Sequence, residues 1–331
     1  MGYITKMIPK VDLASSTLEA ESVNLMTGNP HGELMAVTDS LGSDKQIVVI
    51  QRNPHAGTAR KQREILDLVR ELKRLGMIPR LFSSRERLDR WMSHPRNQAR
   101  VKCLVGAGGD GTLQNLISRH PGAVLSQLPI GTENVLARHL GIPLSGREVA
   151  RMIAVGHVKQ MDIGRWGNRP FVLMASVGFD AEVIHRAHAE RSGHTSRWRY
   201  LWPIARALWN CPGVPLVVNI DDSPPRTAQM AVVVNVPRYA LGLNMATQAL
   251  DDDGLLEVRL FKQGSAWSMW RYFVHLCLGS HERLADVESV RGVNVRIESE
   301  VPRHVQVDGD PAGTTPISLT VMPGGVSLLV P

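Results

Sequence analysis

From residue 45 onward, short continuous apolar runs alternate with stretches whose apolar residues recur at helical spacing. "KQIVVIQ" at 45–51 predicts a buried strand, and "NPHAG" predicts a turn after it. Ile65, Leu68, Val69, Leu72 and Leu75 then share one helical face, and Gly76 suits the position past the helix end. The same order returns with "VKCLVGA" at 101–107, a glycine turn, and a helix marked by Leu113, Leu116 and Ile117. It returns again with "AVLSQLPI", the turn "GTEN" and the short helix "VLARHL", which stops at Gly141 ahead of Pro143. Three rounds of strand, glycine turn and helix predict a parallel sheet covered by helices.

Past about residue 160 the period becomes that of strands. "PFVLMASVGF", "PLVVNID", "QMAVVVNV", "LLEVRLF", "NVRIESE", "HVQVDGD" and "ISLTVM" are joined by turn residues, with helical stretches at 196–210 and 265–278. This half predicts a β-rich domain of sandwich type. Residues 1–44 show neither period, and "ASSTLEAES" and "TGNPHGE" suit a mobile tail. The expected organisation is a tail at 1–44, an α/β domain at 45–160, and a β-rich domain at 161–331 whose last residues return to the first domain.

Composition narrows the class. The 331 residues are 43% hydrophobic and 21% charged, as in a soluble globular protein. A formal charge of +7, scattered rather than massed, favours an anionic partner without choosing among nucleotide, phospholipid surface and nucleic acid. Cys103, Cys211 and Cys277 are odd in number, far apart and set among apolar neighbours, so they read as buried thiols in a reducing compartment. No apolar run approaches the roughly 18–20 residues needed to span a bilayer, and the expected address is cytoplasmic.

The turn "LVGAGGDGTL" at 104–113 carries the first chemistry. Gly106, Gly108 and Gly111 satisfy G-x-G-x-x-G between a strand and a helix, the dinucleotide fingerprint. Asp110, however, would oppose a closely bound pyrophosphate unless a cation or hydroxyl intervenes, and no G-K-[ST] follows to make a Walker A loop. The residues themselves leave two readings. One is a polyphosphate cradle, in which glycines free backbone N–H groups, the helix N-terminus adds positive potential, and Asp110 recruits Mg²⁺ or a hydroxyl. The other is a tight strand–helix turn with a capping Asp.

"NPHAG", "GGDGTLQNLI" and "LPIGTENVLARHLGIP", in this order, resemble the catalytic region of the diacylglycerol kinase family, which includes bacterial lipid kinases and sphingosine kinases. "MASVGFDAEV" at 174–183, "ALDDDGLLEV" at 249–258 and "VQVDGDPAG" at 305–313 extend the likeness from about residue 46 to the last residues of the chain. The resemblance implies an NAD kinase-like α/β domain, a C-terminal β-sandwich and an active site in the cleft between them. It implies ATP bound by Asn53, Gly57, Ser83, Gly108, Gly109, Asp110, Gly111, Thr112, Thr132 and Asn134. It also implies a metal site in "LDDDGLL", with a carboxylate from Asp253 and backbone oxygens from Leu250 and Leu255. Oxygen-only ligation suits Mg²⁺ or Ca²⁺; without the resemblance, "DDDG" reads as a solvated acidic turn.

In the family the base is usually the Glu of a "DGE" segment. Asp310 of "VDGDP" stands there with one methylene fewer. Val135 replaces an Asp usual in the third turn, with Glu133 two positions earlier. Thr58 occupies the place of a frequent Lys, with Arg60 and Lys61 nearby. The expected function is an ATP- and Mg²⁺-dependent lipid kinase acting on diacylglycerol or a related lipid hydroxyl, with Asp110 organising Mg-ATP and Asp310 as base. The alternatives are a nucleotide- or lipid-binding homologue that has lost transfer, and an NAD kinase-like enzyme.

Two stretches bear on partners. "RWRYLWPIARALW" at 197–209 and "WSMWRYF" at 267–273 hold five of the seven tryptophans, interleaved with arginine. Such residues suit an anionic membrane surface, and the competing reading is core packing, which the second stretch favours. Peripheral association with the inner membrane surface follows as an expectation. His185, His188 and His194 match no zinc spacing and read as a solvated helix end. No nucleic-acid recognition motif occurs, so none is expected as partner, and a homo-oligomer stays open.

Overall fold

The computed structural model describes residues 46–53, 59–189, 214–238 and 242–331. The expected tail at 1–44, Gly57 of the first turn and the aromatic stretch at 197–209 lie outside the described residues.

The first half alternates as its apolar pattern requires. β1 (Ile47–Arg52), α1 (Ala59–Arg74), β2 (Ile78–Phe82), α2 (Arg85–Met92) and α3 (Pro95–Gln98) lead to β3 (Val101–Gly108) and α4 (Asp110–Arg119). β4 (Val124–Pro129), α5 (Val135–His139) and α6 (Gly146–Val155) follow. β1, β2, β3 and β4 are parallel, in spatial order β2-β1-β3-β4. β1 shows why its apolar run is unbroken. Ile47 and Val49 pack with Leu113 and Leu116 of α4, while Val48 and Ile50 pack with Leu68 and Leu72 of α1 and Val149 of α6. Both faces of the strand are covered, so alternation with polar residues would cost about 1.5–3 kcal/mol for each large apolar side chain lost.

The second half builds a sandwich against an extension of the same sheet. β5 (Val158–Trp166), β6 (Arg169–Phe171), β7 (Met174–Val177) and α7 (Phe179–Ala189) come first. β8 (Leu216–Ile220), β9 (Arg226–Ala228), β10 (Met230–Val234), β11 (Leu256–Phe261) and α8 (Ala266–Cys277) follow. β12 (Val287–Gly292), β13 (Asn294–Ser299), β14 (His304–Val307), β15 (Asp310–Thr314) and β16 (Ile317–Leu329) complete the described chain. β16 lies parallel to β4 at Ser327 and antiparallel to β13 and β5, so the ten-stranded sheet runs from β2 through β16 to β8 and β9. A second, six-stranded sheet has the order β12-β11-β10-β7-β14-β15. Val218, Ile220, Val295, Ile297 and Leu319 of the first sheet meet Ala175, Val177, Val233, Val258 and Leu260 of the second in one dry core. The other face of the six-stranded sheet carries Met174, Met230, Val232 and Phe261, and α8 covers part of it through Met269, Tyr272 and Leu276.

Candidate active site

Parallel strands place their following loops on one edge, where open α/β sheets bind ligands. Asn53 follows β1, Ser83 follows β2, Gly109 to Thr112 follow β3, and Gly131 to Asn134 follow β4. The two central turns are in backbone contact: a Cβ on Gly131 would lie 2.4 Å from the Gly109 Cα. Asn134 adopts the left-handed region at φ 49° and donates Nδ2 to the carbonyls of Pro129 and Gly131, 3.1 Å each, which holds the third turn closed. Its buried Oδ1 has no hydrogen-bond partner among the described residues. Asn53 Nδ2 donates to Thr112 Oγ1 at 3.4 Å, and Lys61 of α1 sends Nζ to the Gly131 carbonyl at 2.5 Å.

Asp110 joins the turns more firmly. Its carboxylate accepts from the Val135 amide at 2.8 Å and the Leu136 amide at 3.1 Å. It therefore caps α5, a different helix from the one it begins. Burial pushes its carboxyl above the usual range, against the pull of those amides and the Gln127 side chain beside it. α4 itself has no side-chain cap at its N-cap residue Gly109. The amides of Thr112 and Leu113 go to the Gly109 carbonyl at 2.9 and 3.4 Å, which leaves that of Gly111 for another acceptor. Gly111 and Thr132 are exposed, Thr112 is buried, and Ser83 lies exposed one strand farther out.

Across from these turns stands the hairpin joining β14 to β15. Val307 pairs with Asp310, and the two residues between them, Asp308 and Gly309, have φ of 50° and 84°. Positive φ at both centres is a type I′ turn, which Asp-Gly favours. The Asp308 carboxylate accepts three amides: Val172 at 2.8 Å, Leu173 at 2.8 Å and Met174 at 3.0 Å. Burial outweighs these bonds and, with Asp110's charge adding repulsion, pushes its carboxyl up to about 6. Gln114 of α4 donates Nε2 to the Pro170 carbonyl of β6 at 3.1 Å, which sets the segment that anchors the hairpin beside the helix that follows the glycine turn. Gln306 accepts the Gly309 amide at 2.8 Å and donates to Ser176 Oγ at 2.9 Å and Asp180 Oδ2 at 3.1 Å. Ser176 Oγ in turn donates to Asp180 Oδ2 at 2.6 Å. Asp310 is half-buried, and its carboxylate has no hydrogen-bond or ion-pair partner among the described residues. It is the uncommitted carboxylate of this hairpin.

The acidic loop before β11 divides its aspartates. Asp251 turns inward, accepting from Lys159 Nζ at 2.6 Å and pairing with His139 Nε2 at 3.0 Å. Burial alone would raise its pKa, but these two partners hold it down to about 2. The three residues and Leu250 line a cavity of about 400 Å³. Asp253 accepts the Leu255 amide at 3.1 Å, and Arg291 Nη1 stands 3.7 Å from its other oxygen. Asp162, on β5, fastens the loop by accepting the amides of Gly254 at 2.6 Å and Gly324 at 2.7 Å. No group of three His, Cys, Asp or Glu side chains gathers for a metal among the described residues. One carboxylate with backbone oxygens of residues 250 and 255 fits a hard cation that keeps several waters, not zinc.

The structure thus collects Asn53, Gly108, Gly109, Asp110, Gly111, Thr112, Thr132 and Asn134 on one edge. It places Asp310 across from them and the Leu250–Leu255 loop at the far end of α5. The sequence reading missed Asp308, Lys61 as a partner of the third turn, the Ser176–Asp180–Gln306 network and the His139–Lys159–Asp251 cluster. The Asp-Gly turn signal was the one local clue to Asp308. His185, read as a solvated helix end, stacks on His304 with centroids 3.9 Å apart; His188 and His194 lie outside the residues whose side chains are described.

Comparison with known proteins agrees with this fold. Residues 46–166 match the diacylglycerol kinase catalytic domain, and residues 174–330 match the YegS C-terminal NAD kinase beta sandwich-like domain. A diacylglycerol kinase of Mycobacterium tuberculosis is 29% identical over 238 residues, covering 69% of this chain and 76% of that protein. A diacylglycerol kinase of Staphylococcus epidermidis is 21% identical over 285 residues, covering 84% and 90%. The crystal structure of a diacylglycerol kinase from Bacillus anthracis superposes with a TM-score of 0.66 at 19% identity, covering 87% of this chain and 97% of that one. At that identity the superposition shows the fold alone.

Proposed function

The chain belongs to the diacylglycerol kinase catalytic-domain family, and from that premise we propose that this kinase transfers the γ-phosphoryl group of ATP to a lipid hydroxyl, that of diacylglycerol or a related lipid. One observation carries the reading: two glycine turns in backbone contact, locked by Asp110, face a hairpin with one uncommitted carboxylate.

The exposed Gly111 in the first turn of α4 offers its N–H to a phosphate oxygen, at the positive end of the helix. Lys61 adds a positive charge beside the third turn. Asp110 and Asp308 are engaged by five backbone amides between them, which makes them positioning groups. That leaves Asp310 to accept the proton of the acceptor hydroxyl as its oxygen bonds to the γ-phosphorus. The bond from that phosphorus to the β–γ bridging oxygen breaks, and ADP leaves with the electron pair. Asp253, with the backbone oxygens of Leu250 and Leu255, would hold Mg²⁺ at the far end of α5, where it would supply a divalent charge that fixes the acidic loop.

Purified chain given γ-labelled ATP and a panel of lipid hydroxyls should yield a labelled phospholipid. Asp310→Ala should abolish the product, and Asp310→Glu, the usual family residue, should retain it. Persistent turnover in Asp310→Ala would remove Asp310 as base. A second reading, a homologue that binds Mg-ATP without transfer, is favoured by the joint presence of Val135 and Asp310 where the family usually has Asp and Glu. Tight binding with no turnover on any lipid hydroxyl would establish it. NAD in the same assay tests the remaining alternative.

A further inference from the structure

We propose that the outward face of α8 is the surface by which this protein docks on an anionic lipid bilayer, an inference that rests on the lipid-kinase reading and names the partner of that site. α8 is apolar on two opposite faces. Met269, Tyr272 and Leu276 are buried against the six-stranded sheet. Trp267, Trp270, Val274, Cys277 and Leu278 recur at helical spacing on the other side. Trp267 and Leu278 are each 72% exposed, and Trp270 is 48% exposed. A helix of a water-soluble domain normally turns a polar face outward. This one presents two indoles and a leucine, and the charge among them, Arg271 one turn beyond Trp267, is paired with Asp286.

The surrounding charge favours one occupant. Residues 258–281 contain no Asp or Glu; Arg271, within the helix, pairs with Asp286, and Lys262, just before it, pairs with Glu288 at 3.1 Å. Arg283 is exposed on the single 3₁₀ turn (His281–Arg283) that follows it. The indole ring favours the acyl boundary, and its N–H finds acceptors among headgroup oxygens, a pairing that a second apolar protein face does not offer. Arg283, with no ion-pair partner among the described residues, is the cation that anionic lipid would draw.

Position supplies the link to the site. Cross-strand partners share a sheet face, and every second residue returns to it. Gln306 pairs with Ser176, Ser176 with Val232, and Met230, two residues from Val232, with Phe261. Tyr272 of α8 packs on Phe261 with ring centroids 4.9 Å apart. α8 therefore lies on the face of the six-stranded sheet that carries the Ser176–Gln306 network beside the Asp308–Asp310 hairpin. A bilayer met by α8 is met on the acceptor side of the site.

The test is flotation of the full chain with vesicles of phosphatidylcholine, alone or mixed with phosphatidylglycerol, at low and high salt. Wild type should float with the mixed vesicles. Trp267→Ser combined with Trp270→Ser should weaken partitioning about tenfold or more, with an unchanged melting temperature and unchanged Mg-ATP affinity. Phosphorylation of a short-chain, water-soluble diacylglycerol should also be unchanged. Equal flotation of the double variant, or no flotation of wild type, overturns the proposal. So does a wild-type dimer in size-exclusion chromatography that the double variant abolishes, since a second copy would then cover the face. Flotation does not depend on turnover. A loss of flotation in the double variant, with no lipid phosphorylated by either protein, would keep the docking surface and refute the kinase reading.

Discussion

Asp110 and Asp308 stand on opposite sides of the crevice and perform the same act, closing the backbone by accepting amides. Asp110 takes two amides from residues 25 and 26 positions away, in the turn after the neighbouring strand. Asp308 takes three from residues 134 to 136 positions away, in the link between β6 and β7 and at the first residue of β7. The nucleotide side is thus locked by contacts between consecutive strand–turn–helix units. The acceptor side exists only once a distant hairpin has docked. Geometry there depends on the whole fold, and the proposed base rides two residues beyond the anchor.

This contrast is most sharply tested by separating anchor from base. Asp310→Ala should lower turnover by about 10²–10⁴-fold and change stability by less than about 0.5 kcal/mol, because that carboxylate has no partner among the described residues. Asp308→Ala should destabilise the protein by about 3 kcal/mol or more, since three enclosed amides lose their acceptor. Urea unfolding with single-turnover kinetics on both variants measures the two effects. A stable, inactive Asp308→Ala protein would reverse the assignment.

The anchor also carries a pH signature. Its folded pKa of about 6 lies above the ordinary 3.8, so the folded state binds the proton more tightly than the unfolded chain. Asp308's effect on stability is therefore most favourable below about pH 4 and is lost as pH rises to about 6, by no more than about 3 kcal/mol. Asp308→Asn, which cannot titrate, should remove this slope. The difference in unfolding free energy between wild type and variant, followed across that window, should change in that direction; a flat difference would contradict it.

On the nucleotide side, two glycines a short distance apart should respond differently. Gly131→Ala forces a Cβ to 2.4 Å from the Gly109 Cα, backbone against backbone, and should cost about 1–3 kcal/mol together with nucleotide binding. Gly111→Ala meets nothing within 4 Å. It should leave the melting temperature close to that of wild type while lowering Mg-ATP affinity about tenfold, because its methyl would stand where phosphate approaches the uncapped helix. Calorimetric titration of both variants decides this. Undiminished affinity in Gly111→Ala would show that the phosphates lie elsewhere.

These differences explain what could be read along the chain. β1, β3 and β4 were visible because both faces are buried and the apolar run is continuous. β2 was not: its "IPRLF" pairs only with β1, is half-exposed, and carries Pro79 and Arg80. The glycine turns announced their chemistry because their partners are local. The three adjacent aspartates of "DDDG" could not be told apart in the same way. Asp251 is drawn inward by His139 and Lys159, which lie far from it in sequence, whereas Asp253 faces Arg291. The strands of the sandwich followed from apolar runs joined by turn residues, but the joining of β8, β9 and β13 to the first sheet through β16 depends on pairings with no local signal.

Lys61 gives the finest test of the nucleotide side. Its position in the first turn of α1 held no motif residue, since the usual family lysine falls at Thr58. In the fold its Nζ reaches the Gly131 carbonyl at 2.5 Å, so its charge stands beside the third turn. Lys61→Met keeps the aliphatic reach and removes the charge. Stability should change by less than about 1 kcal/mol, and Mg-ATP affinity should fall about threefold to tenfold at low ionic strength. Because Lys61 is half-buried, rising salt should narrow that gap without closing it. Titrations of both proteins across a salt series read the effect directly. Equal affinity at every salt concentration would mean that Lys61 only props the turn and that the backbone amides hold the phosphates unaided.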